Sequence, residues 1–188
     1  MNIKGILRCY DIERNELLFE TNNTIVFIGR EQLFPFLTKK INQNTTGNVI
    51  DPSTWILGYF SFGSGGLQDQ NDPMSKILPS PQDTDLYYPI SGFDSTLPSV
   101  TQDGRYKYAS NIDFLQDTTN LNKYLITRFT VILERQEFNG YMLSEAGLYF
   151  ADSPNAKAAT KFSLFAHTTF PGKLKLSQPI AFSWFFYT

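Results

Sequence analysis

The sequence contains a single cysteine and a single histidine in 188 residues. A lone Cys9 excludes an intrachain disulfide and a cysteine-cluster zinc site. Its neighbours Ile6, Leu7 and Tyr10 mark it as a small buried hydrophobe rather than a reactive thiol. With only His167 available, a Cys–His–Asn site lacks a third partner, and no G-x-S-x-G elbow is present. Charge is also scarce: Asp, Glu, Lys and Arg make up 18% of the chain, against roughly 25% in ordinary soluble domains. Net charge is -2 and the basic residues are scattered, so nothing draws the protein to nucleic acid. No apolar run approaches the roughly 18 residues of a membrane span. The first residues, MNIKGILRCYDIERNE, have too short an apolar stretch for a signal peptide. The expectation is a protein made and folded in a cytoplasm, with no cofactor, no metal, and neither nucleic acid nor membrane as partner.

What is abundant is aromatic. Seventeen Phe and ten Tyr favour pleated, half-buried surfaces and interfaces. Residues 3–10 and 16–20 read as short strands about a polar turn, and 55–62 (WILGYFSF) as a strand buried on both faces. Residues 124–135 read as the longest strand, with Leu125, Thr127, Phe129, Val131 and Leu133 on one face. Asn139-Gly140 is a hairpin signal, and strands at 141–150, 162–170 and 177–187 follow. The helix candidate is 30–41, where Leu33, Phe36, Leu37 and Ile41 recur at helical spacing around Pro35. The predicted fold is mainly β: an antiparallel sandwich or sheet, one short N-terminal helix and a long ordered loop. Residues 1–50 would pack on a main domain of 51–188, whose loop 63–101 is punctuated by five prolines. A loop of that length is usually a binding or functional element.

No group of residues assembles a recognisable reaction centre. Gly63-Ser64-Gly65-Gly66 lacks the Lys and following helix of a P-loop, and reads as a strand end where backbone approaches a neighbour closely. Asp69, Asp72, Asp83 and Asp85 lack the spacing of a calcium loop and read as solvated carboxylates. Glu145 lies among apolar residues, where a bare carboxylate would cost several kcal/mol. It reads as an acceptor for backbone N–H groups of the Gly63–Gly66 turn or as a partner of Arg128. Glycan hydrolysis would need a second carboxylate, with Asp113 or Glu134 as the least poor choices.

These same residues carry a resemblance. In order come Phe62-Gly63-Ser64-Gly65, Asp83-Thr84-Asp85-Leu86, Ser144-Glu145-Ala146-Gly147-Leu148-Tyr149, Leu164-Phe165-Ala166-His167-Thr168-Thr169-Phe170 and Phe182-Ser183-Trp184. The order resembles a module of tailed-bacteriophage virion structural proteins, with G-x-G, D-T-x-L, E-A-G-L-F, L-F-A-R-T-T-F and I-T-W elements. The match covers about residues 55–188. His167 stands where that module has Arg, and the loop 67–101 is longer. The resemblance implies a non-enzymatic component of a tail, baseplate, neck or fibre-attachment region, made in a bacterial host and residing in the virion. Its partners would be other virion proteins and copies of itself in a symmetric ring. Tyr87, Tyr88, Phe93 and His167 are the expected interface residues; Gly63, Gly65, Glu145, Gly147 and Trp184 are the structural signature. The competing expectation is a carbohydrate- or receptor-binding module of the virion.

Overall fold

Apolar and aromatic runs, alternating with polar residues in some segments and continuous in others, form the strands, and the computed structural model describes residues 4–26, 55–116 and 125–187. Eleven strands are present among them: β1 (Lys4–Asp11), β2 (Glu16–Asn22), β3 (Thr24–Ile25), β4 (Ile56–Gly63), β5 (Pro89–Ile90), β6 (Lys107–Tyr108), β7 (Asn111–Gln116), β8 (Leu125–Leu133), β9 (Met142–Ala151), β10 (Phe162–Leu174) and β11 (Ile180–Tyr187). No helix occurs among the described residues, and the expected helix at 30–41 lies outside them.

The strands form two antiparallel sheets. One has the order β2-β1-β11-β8-β7; the other runs β3-β10-β9-β4-β5, with β6 also paired to β4. The N-terminal strands are therefore built into the main architecture: β1 pairs with β11 along its whole length, from Lys4 opposite Tyr187 to Asp11 opposite Ile180. The two sheets share an aromatic core. Phe60 meets Trp184, Phe62 meets Phe182, and Phe165 meets Phe186, with ring centroids 6.1, 4.5 and 5.2 Å apart. On β8 the residues expected to face inward do so at Phe129, Val131 and Leu133.

The six-stranded sheet is covered on its other face as well. There Tyr59, Tyr149 and Leu164 pack beneath Leu86, Tyr106 and Ala156, a second cluster contributed partly by loops. This explains why β4 and β9 are buried on both faces. The loop after β4 packs on its own domain through Leu86, Phe93 and Val100.

Asn139-Gly140 does not form a hairpin. β8 belongs to the five-stranded sheet and β9 to the six-stranded one, so 134–141 carries the chain from one sheet to the other. Phe138 adopts a φ of +52° and packs against Phe62 and Phe93, while Gly140, at φ +84°, donates to the carbonyl of Lys175. Burying Phe138 between these rings turns the chain away from β8 instead of folding it back along it.

Candidate functional site

Side chains alternate along β9, so Glu145 shares a face with Gly147 and Tyr149, beneath the long loop. Its carboxylate is fully buried and is saturated with donors. Oε1 accepts from the backbone N–H groups of Gly65 at 2.9 Å and Tyr88 at 2.7 Å; Oε2 accepts from Tyr87 N–H at 2.9 Å and faces His167 Nε2 at 3.1 Å. Next to it, Ser144 Oγ accepts from Gly66 N–H at 3.0 Å. Such a set of bonds meets the large cost of burying a carboxylate.

The close approach is possible because the turn after β4 has no side chains in the way. A Cβ on Gly65 would lie 2.6 Å from Tyr87 Cβ and 2.7 Å from Tyr88 N, and one on Gly63 would collide with Glu145 Oε1 and the Tyr88 carbonyl. Gly147 leaves room for Leu86 of the loop, whose Cδ2 would be 3.1 Å from an added Cβ.

His167, on β10, is 0% exposed. Its Nε2 faces Glu145 and its Nδ1 lies 2.7 Å from Asp83 Oδ2. Asp83 Oδ2 also accepts from Ser80 N–H at 2.9 Å and the Tyr87 hydroxyl at 3.1 Å. Burial and the nearby Asp83 push that phenol up to about 12. Asp83, Glu145 and His167 thus form a buried clasp holding residues 80–88 on the sheet. Asp85 is tied down separately by Arg105 and by the Tyr149 hydroxyl at 2.6 Å. Burial alone would raise the Asp85 carboxyl; the bonds from Arg105, Tyr149 and Leu86 N–H outweigh it and hold the group below its ordinary range. Asp83, 12% exposed at its side chain, is therefore not a solvated loop carboxylate, whereas Asp85 keeps 43% exposure while bonded to Arg105 and Tyr149. Asp69 and Asp72 do sit in the open loop, accepting from nearby backbone N–H groups.

The structure separates the expected interface residues. Tyr87 and Tyr88 are 39% and 67% exposed. Phe93 is instead packed between Phe62 and Phe138 in the core, and the His167 ring is enclosed by its own chain, so neither offers surface to a partner. Trp184 is fully buried between the sheets. Arg128 pairs with Asp113 at 2.6 Å, not with Glu145. Both lie in the five-stranded sheet, on β8 and β7, so Asp113 is no second carboxylate for Glu145. Cys9 is buried and its thiol is pushed up to about 12 by that burial.

Sequence reasoning missed a second buried charge site. Lys107 Nζ lies 2.7 Å from Glu137 Oε2 and donates to the Ile132 carbonyl at 2.8 Å. Glu137 in turn accepts from the N–H groups of Glu134 and Asp94. The available signal was a lysine between two tyrosines, Tyr106 and Tyr108, and a glutamate next to Phe138. A groove of about 480 Å³ runs between the 101–106 and 156–162 segments, with Asp103, Lys157 and Thr160 on its walls. Its two aromatic residues, Tyr106 and Phe162, stack on one another at 3.9 Å, which covers one face of each ring.

Comparison with known proteins yields no matching family model, no matching curated protein and no matching solved structure.

Proposed function

We propose that this chain is a structural component of a tailed-phage particle, acting through assembly contacts in the tail, baseplate or neck. The observation that carries the reading is the convergence of motifs. Gly63 and Gly65, Asp83, Glu145 and His167 come from four of the five segments that resemble the phage module, and they meet in one clasp. The clasp fixes the backbone of a loop that carries exposed Tyr88, Tyr87, Leu78 and Met74. Apolar side chains held outward on a pre-ordered backbone lose little further entropy on binding, which suits an assembly contact. Glu145, the carboxylate considered for hydrolysis, has each oxygen occupied by two donors or ring contacts, so the reading does not depend on reactive chemistry.

The neighbours are then other virion proteins and further copies of this chain, arranged in a ring. Replacing Tyr88, 67% exposed, by Ala is expected to leave circular dichroism and thermal unfolding of the isolated protein close to wild type, while reducing its incorporation into particles. Incorporation at the wild-type level would sink the proposal.

A further inference from the structure

We infer that His167 is a proton-operated latch, closed while both ring nitrogens carry protons, whose opening as pH rises releases Asp83 and loosens the hold of the sheet on the adjoining Tyr87 and Tyr88. The inference does not rest on the virion reading; it concerns the conformation of the loop itself.

A neutral imidazole has one N–H donor and one lone pair. Here each ring nitrogen faces a carboxylate oxygen: Nδ1 faces Asp83 Oδ2 at 2.7 Å and Nε2 faces Glu145 Oε2 at 3.1 Å. Neither nitrogen faces a donor. The arrangement is satisfied when both nitrogens are protonated, giving two charge-assisted hydrogen bonds from one ring. Removing either proton points a lone pair of the fully buried ring at a carboxylate. Rotating the ring by half a turn does not relieve this, because a carboxylate waits on each side.

The groups facing the ring are few. The loop contributes Asp83 and Tyr87, whose ring lies edge-on at 4.8 Å, and β9 contributes Glu145. The neighbours across the sheet, Thr24 on β3 and Gly147 on β9, carry no charge. The Tyr87 phenol, pushed up to about 12, stays protonated through the range in question.

The sign follows directly. Stability stored in a protonated histidine between two carboxylates is present at lower pH and is lost as the ring gives up a proton. The opening is local. Asp85 stays bonded to Arg105 and Tyr149, Leu86 stays buried and Ile90 stays paired with Phe62, so the loop remains anchored on either side of Tyr87 and Tyr88.

The chain has one histidine, so ¹⁵N-histidine labelling gives the ring signals of His167 alone. Hydrogen exchange of the full chain, expressed as protection factors, is followed over the same pH series. The expected result is a ring with both nitrogens protonated at low pH. Protection of the Tyr87 and Tyr88 amides should then fall by about tenfold or more as the ring titrates, the loss of one charge-assisted bond. Amides of β8 and β11 should hold steady. In His167→Gln, if folded, the Tyr87 and Tyr88 protection should no longer step with pH. Three wild-type outcomes each overturn the inference without reference to the variant: a ring that is neutral throughout, a ring that titrates with no change at Tyr87 and Tyr88, or a ring that stays charged until the whole chain unfolds.

Discussion

Glu145 shows how far a single side chain can organise its surroundings. Three backbone N–H groups from the turn after β4 and from the long loop end on its two oxygens, together with the His167 ring. Glu145→Ala therefore strands several buried donors at once. At about 1–3 kcal/mol for each unsatisfied buried group, the loss should exceed about 3 kcal/mol, measured by urea unfolding. Gly65→Ala should also destabilise, because the new Cβ meets Tyr87 Cβ and Tyr88 N at distances real atoms do not adopt. Its cost should fall when Tyr87 is also made Gly, which removes one of the three close contacts, and strictly additive values would count against this account. The sequence made Glu145 readable as an acceptor, since a carboxylate among Leu143, Ala146 and Leu148 needs partners. It did not reveal His167 as one of them. Asp83 and His167 are separated by 84 positions, and only the closing of the loop over the sheet brings them together.

At the level of elements, the connection between β8 and β9 was misread for a physical reason. Asn-Gly favours a tight turn, but that local preference cannot say which strand follows in which sheet. The deciding residues are Glu137, drawn inward to Lys107, and Phe138, drawn inward to Phe62 and Phe93. Lys107→Met should cost about 3–5 kcal/mol by leaving the Glu137 carboxylate buried without its cation. The double variant Lys107→Met/Glu137→Gln should recover part of that loss, because the amide oxygen can still accept from Glu134 or Asp94 N–H while no charge remains. Equilibrium denaturation of the single and double variants checks both. Strands β8 and β11 were legible to within two or three residues: 124–135 was expected against Leu125–Leu133, and 177–187 against Ile180–Tyr187. The segments of the long loop were legible only as ordered, because Leu86 and Phe93 announce burial without naming what they pack against.

For the molecule as a whole, stability resides in the rings shared between the sheets. Phe182 contacts Phe62 and Phe170 across the core, and also Phe19. Phe182→Ala should cost about 3–5 kcal/mol and lower the melting temperature without changing the antiparallel β signature in circular dichroism. An unchanged melting temperature would mean that the two sheets do not depend on one another. The aromatic richness of the sequence made such a core legible, but the pairing of rings was not, since it is set by the order of strands in each sheet.

That order also has a consequence in time. β11 lies between β1 and β8, in register with both. The first described strand therefore has half of its hydrogen-bonding partners in the last. While the chain is still emerging from the ribosome, β1 and β8 have a vacant lane between them, and the inner face of their sheet cannot close over the aromatic core. Contacts between such distant parts of a chain form slowly, and this sheet cannot be completed until residues 180–187 have joined it.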